Sequence, residues 1–199
     1  KQYSATGGMA GGAGEVAAIA DWFRQGGKFL WIGAGGDHLK PGTNSSAFKA
    51  DEVNKVLAAI GSSLRVEYTS VEDPESNTGR AEEVVGFEKN TEGPATKINS
   101  GVSKVLFYET TLVVGFKNGI FVSLEKVLGE NIFWLWRTSS SATIVDHDDA
   151  APTTVRAGLT GQFYLAAAET VTVRGGRSKV YVAGAPVIGG ADTFSASFK

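Results

Sequence analysis

The sequence predicts an α/β protein in which a mainly parallel sheet, covered by helices, passes into a β-rich second half that includes a hairpin. Three observations predict it. Helix-type and strand-type apolar patterns alternate twice before residue 70, and each helical pattern stops at glycine. No long helical period recurs after Gly61. Lys117-Asn118-Gly119 parts two short apolar runs, and Asn-Gly in that place is a strong local signal for a hairpin.

From Glu15 onward, Val16, Ile19, Ala20 and Phe23 recur at helical spacing, and Gly26-Gly27 supplies a left-handed stop. Lys28-Phe29-Leu30-Trp31-Ile32 follows as a short apolar run between glycines, the pattern of a strand buried on both faces. The unit repeats: Val53, Val56, Leu57 and Ile60 form a second stripe, Gly61 ends it, and Leu64 to Tyr68 reads as the next strand. Two such units argue for parallel neighbours.

Residues 70–97 hold acidic clusters, two prolines and no sustained period, which predicts a long surface excursion with one short strand near Val84 to Phe87. Val105 to Tyr108 and the runs Leu112 to Phe116 and Ile120 to Leu124 come next. Ile132-Phe133-Trp134-Leu135-Trp136 is apolar on both faces, as a central strand would be. Further strands are expected at Phe163 to Ala167, Val171 to Val173 and Lys179 to Ala183. The 199 residues read as one domain, 1–199, with a hairpin excursion around 109–138.

Composition removes several chemistries. The absence of cysteine excludes thiol catalysis, disulfides, Cys-ligated zinc and iron–sulfur clusters. Nineteen basic against twenty-one acidic side chains give a net charge of −2, which supplies no whole-surface field for a phosphate backbone and disfavours nucleic acid as partner. No run of 18 or more apolar residues is present to span a bilayer as a helix. With Lys1 where an initiator Met would stand, the chain reads as a processed protein or a piece of a longer one.

The sharpest nucleotide signal is Gly12-Ala13-Gly14-Glu15-Val16-Ala17, a G-x-G-x-x-A match that opens a helix, with Asp37 placed after the next strand as a ribose acid would be. Against it, Gln2 to Thr6 make a poor buried first strand. A P-loop is excluded, because no Gly-Lys-Ser/Thr follows any glycine cluster, and no G-x-S-x-G elbow is present. The two histidines, His38 and His147, stand in polar loops, the latter within Asp146-His147-Asp148-Asp149. Asp73, Glu75 and Asn77 space three oxygen donors at alternate positions, as a calcium loop does, although Pro74 is out of place and Gly79 stands one position late. No cofactor is expected, with calcium at this loop the one exception. Asn44-Ser45-Ser46 is the single N-glycosylation sequon. Trp134 and Trp136, two residues apart, allow a carbohydrate platform, but Phe133 and Leu135 between and beside them favour buried core.

The stretch Ile19-Ala20-Asp21-Trp22-Phe23-Arg24-Gln25-Gly26-Gly27-Lys28-Phe29-Leu30-Trp31-Ile32-Gly33, followed by Leu57 to Arg65, resembles the glutamine-amidotransferase-like Rossmannoid domain of gliding-motility, intraflagellar-transport and archaeal and bacterial cell-surface proteins. Val71-Glu72-Asp73-Pro74 with Asn77, Ile98 to Tyr108, and Lys179 to Gly184 extend the similarity over most of the chain. The resemblance implies a Rossmann-like, flavodoxin-like sheet. It also implies a catalytic cysteine at a strand-to-helix elbow, where this chain has Gly33-Ala34-Gly35-Gly36, so a glutaminase is excluded by residue type.

These observations together predict a non-catalytic interaction or structural domain of an extracytoplasmic or cell-surface protein. Its partners are proteins, with self-association or a larger assembly foremost. Thr193 to Lys199 alternates polar and apolar, with Phe194, Ala196 and Phe198 on one face, and could add as a strand to a sheet edge in the same or a neighbouring copy. The alternative is a nucleotide- or solute-binding module that acts as a sensor, in transport or as a dehydrogenase-like enzyme.

Overall fold

The computed structural model describes residues 13–37, 46–147 and 153–185. Helices α1 (Ala13–Arg24) and α2 (Ser46–Ala59) bracket strand β1 (Phe29–Gly33). Short strands follow: β2 (Leu64–Val66), β3 (Ser70–Glu72), β4 (Glu83–Val85) and β5 (Glu88–Lys89), then the one-turn helix α3 (Ala95–Ile98). After β6 (Leu106–Tyr108) come β7 (Val113–Lys117), β8 (Ile120–Val122), β9 (Ile132–Arg137) and β10 (Thr143–Val145). Two long strands, β11 (Tyr164–Val173) and β12 (Gly176–Ala183), close the series.

The mainly parallel, Rossmann-like architecture is not what forms. The described chain is 38% strand and 18% helix. Of its eight strand pairings one is parallel, β1 with β12. The main sheet runs β1-β12-β11-β9-β5, while β2, expected beside β1, lies in a separate sheet of order β2-β7-β8. The reason is that apolar periodicity reports which faces a strand buries, and says nothing of its neighbour. β1 carries Leu30 and Ile32 on one side and Phe29 and Trp31 on the other, and β12 matches both sides in register, with Leu30 opposite Val180 and Trp31 opposite Tyr181. The three-residue β2 finds its partner in the hairpin, antiparallel to β7.

Several local expectations hold. Gly26 and Gly61 take positive φ at the two helix ends. The β7–β8 hairpin turns on Asn118 and Gly119, both at positive φ, with Lys117 opposite Ile120. β9 lies inside the main sheet, between β11 and β5. Two expectations fail. Residues 70–97 are more than a surface excursion, since they supply β3, β4, β5 and α3, and bury Val71, Val84 and Ala95. The two strands expected at 163–173 are one, because Glu169 sits in its middle on a buried face and finds hydrogen-bond partners there.

The main sheet has two unlike faces. On one, α1 and α2 pack with β2 and β7: Phe23, Leu57, Ile60, Leu64, Val66 and Val113 close over Ala167, Val171, Val180 and Val182. On the other, Val84, Ala95 and Phe107 cover Leu135, Trp136, Leu165, Ala166 and Ala168. A register slip between Ala166 and Ala167 places Trp134 in the first core and Trp136 in the second, so the two tryptophans do not share a face. A third, smaller core gathers Val71, Leu112, Val114, Ile144 and Phe163 under the β3–β10 pair.

The end of α1 touches the β11–β12 turn backbone to backbone, and glycine alone allows it. A Cβ on Gly175 would stand 2.0 Å from the Gln25 carbonyl oxygen, and one on Gly26 2.1 Å from that of Gly175. Gly175→Ala is therefore expected to lower stability by about 1–3 kcal/mol, the usual range for overpacking. Gly14→Ala, in α1 with open space around it, should raise stability by about 0.5–1 kcal/mol through helix propensity. Urea melts of the two variants check the opposite signs.

Candidate functional site

Two of the acids that the sequence singled out, Asp73 and Asp37, are buried and hydrogen-bonded within the protein. Asp73 is fully buried, and its Oδ1 accepts from the amides of Glu75 and Ser76, each at 3.0 Å, and from Ser139 Oγ at 2.7 Å. Its Oδ2 accepts from the Ser139 amide at 2.8 Å. Asn77 donates to the Asp73 carbonyl and accepts from the Gly79 amide, while Glu75 accepts from Ser141 Oγ. The calcium candidates Asp73, Glu75 and Asn77 are thus brought together in one loop whose oxygens already hold protein donors. Among the described residues, no group of three His, Asp or Glu side chains is arranged to hold a metal ion.

Asp37, expected at a ribose, is likewise fully buried. Its Oδ1 accepts from the Ser70 hydroxyl, and its Oδ2 from the His147 amide at 2.6 Å. His147 holds its Nε2 3.5 Å from Glu72. Gly14 to Ala17 lie in α1 as expected. Gly12, His38, the sequon Asn44, Asp148, Asp149 and the Thr193 to Lys199 segment lie outside the described residues.

Two further carboxylates had no motif to announce them. Glu67, fully buried, accepts from the amides and hydroxyls of Thr153 and Thr154 and from the Tyr68 amide. Glu169 takes Ser62 Oγ at 2.5 Å and the Ser63 amide at 2.9 Å. Burial pushes the Glu169 carboxyl above its ordinary value of 4.5, and the Ser62 and Ser63 donors, with Arg65 nearby, pull the other way.

The strand expected to be buried on both faces is the one that opens to solvent. β1 pairs with β12 at the end of the main sheet, and Phe29 and Trp31 are 52% and 50% exposed. Both rings lean on Tyr181 of β12. Phe29 lies 4.5 Å from it centroid to centroid, and Trp31 stacks 5.9 Å away at an interplanar angle of 16°. The β12 alternation that aims Tyr181 at this face also places Lys179 and Arg177 there, and opposite them on β11 stand Thr170 and Thr172. Beyond Tyr181 the surface dips into an open cleft of about 610 Å³, bounded by Phe133 of β9, Pro94, Lys97 and Ile98 of the α3 segment, and Glu130.

Sequence reasoning missed this face because a uniformly apolar run between glycines looks the same in a central strand and at an edge. The pair that it did consider as a platform is committed elsewhere. Trp134 is covered by the Arg137 guanidinium at 4.2 Å, and Trp136 is buried.

Two outcomes follow from the carboxylates. Asp73→Ala, which strips four bonds from a charged acceptor and leaves buried donors unpaired, should cost about 3 kcal/mol or more, and by the same amount in calcium or in chelator. Thermal melts in both buffers check it. For Glu169, the raised folded value means that the native state binds more protons than the unfolded chain in the pH interval just above 4.5. The stability of the native protein relative to Glu169→Gln should therefore fall as pH rises through that interval and level off above it. Urea melts from pH 4 to 7 that gave the opposite slope would show a carboxylate stabilised in its charged form.

No family model, no curated protein and no solved structure matches this chain.

Proposed function

We propose that this chain is a non-catalytic interaction domain of an extracytoplasmic, cell-surface protein, and that the β1 end of the main sheet is where it engages other proteins, copies of itself included. The observation that carries this reading is the exposed, ring-stacked face of Phe29, Trp31 and Tyr181. Burying an aromatic side chain of this size is worth about 1.5–3 kcal/mol, so two half-exposed rings side by side leave a large share of that free energy to be realised on contact. Aromatic anchors held in place before contact lose little rotamer freedom on binding, which is the property of interface hot spots.

The strand that bears the rings adds a second means of contact. Among the described residues β1 is paired on one side alone, with β12. A sheet edge offers its amides and carbonyls to a further strand, and the rings next to it would supply the side-chain pockets. The buried, hydrogen-bonded state of Asp37 and Asp73 supports the same reading, because each of these acids is already used to hold a loop.

Sedimentation velocity across a concentration series tests it. The intact protein is expected to shift toward larger species with concentration, and the Phe29→Ser/Trp31→Ser variant to stay monomeric and folded by circular dichroism, with a melting temperature lowered by the packing it loses on Tyr181. Equal behaviour of the two proteins would remove β1 as the contact for self-association.

A further inference from the structure

The aromatic face and the cleft beside it form one continuous surface with a chemistry of its own. Phe29 and Trp31 stand two residues apart on one strand, about 7 Å along it, and present the same side. Tyr181 locks both from below. Around them stand three cations, Arg177, Lys179 and Lys97, all exposed, and none is in an ion pair among the described residues. Thr170, Thr172 and the Glu130 carboxylate supply neutral and acidic hydrogen-bonding groups on the same surface.

Going beyond the reading of this face as a protein contact, we infer that it takes an acidic oligosaccharide, with a pyranose ring stacked on Trp31 and Phe29 and a uronic-acid carboxylate held by Lys179 and Lys97 at the cleft. A pyranose presents a face of C–H groups, each slightly positive, to which the negative face of an aromatic ring is complementary. Its hydroxyls need both donors and acceptors in a shallow, open site, and the threonines, lysines and Glu130 provide the two kinds. The excess of unpaired cations selects an acidic sugar over a neutral one, since each carboxylate would gain a charge-assisted bond. A single-stranded nucleic acid also stacks on aromatic rings, but it needs a continuous positive track for its phosphates. Here Glu130 interrupts the basic residues, and the chain as a whole carries −2.

The test uses the intact chain and tetragalacturonate, with cellotetraose as the neutral probe and an oligothymidylate as the nucleic-acid probe. Calorimetry and tryptophan fluorescence follow binding. Tetragalacturonate is expected to bind at least tenfold more tightly than cellotetraose, with a fluorescence change that Trp31→Ala abolishes. Lys97→Ala/Lys179→Ala should weaken the acidic sugar about a hundredfold or more, in line with the loss of two charged hydrogen bonds. It should weaken cellotetraose much less than the acidic sugar, since a neutral sugar loses only hydroxyl contacts to the lysines, and leave the melting temperature unaltered. No binding of tetragalacturonate at millimolar concentration, equal affinity for the two sugars, or tighter binding of the oligothymidylate would each overturn the inference. If the sugars fail while Phe29→Ser/Trp31→Ser still abolishes self-association, the carbohydrate inference falls and the protein-interaction reading stands. Sugar binding by a strictly monomeric protein would decide the other way.

Discussion

The tertiary structure depends on carboxylates buried opposite neutral donors. Asp37, Glu67, Asp73 and Glu169 each reach a segment far along the chain and hold it by hydroxyl and amide hydrogen bonds. Glu169 joins the middle of β11 to the turn between α2 and β2, 106 residues away, and so ties the main sheet to the second sheet. Glu67 seizes two successive threonines, and Asp73 both the amide and the hydroxyl of Ser139. In a protein without cysteine, these contacts do the work of cross-links. A buried charge without partners is very costly, and donors that converge on it restrict the loop that carries them to one geometry.

The same arrangement decides what is left open. One face of the main sheet is fully used by α1, α2 and the β2–β7 layer. Among the described residues, the other is covered mainly where β4, β6 and α3 lie, over β9 and the first part of β11. Toward β1 and the start of β12 no described element follows, and the rings of Phe29 and Trp31 stand in solvent. An uneven cover over a two-faced sheet yields an apolar surface with cations at its border, on a rigid base in which Tyr181 is fixed by the strands on either side. This is the physical basis of the proposed binding role.

Much of the local structure was legible in the sequence. The helical stripe of Val16 to Phe23, the stops at Gly26 and Gly61, the Asn118-Gly119 turn and the two-sided apolar run of β9 are short-range features, dictated by side-chain period and by which residues tolerate positive φ. The β-rich second half followed from the same evidence. The candidate site was hardly legible. Phe29 and Trp31 were visible as strand residues, but their exposure depends on which strands flank β1, and the acids of the loops gave no sign that Ser139, Thr153 and Ser62 would be their partners.

What the sequence determined by itself was therefore where the chain is helical, where it is extended and which glycines turn it, because those choices are made within a few residues. Partner and direction were decided only in three dimensions. β1 chose β12 over β2 since an eight-residue strand, matched on both faces, buries more apolar surface and pairs more amides than a three-residue one. That choice turned an expected parallel sheet into a mixed one, and it moved β1 from the centre to the end of the described sheet, where its aromatic rings meet water.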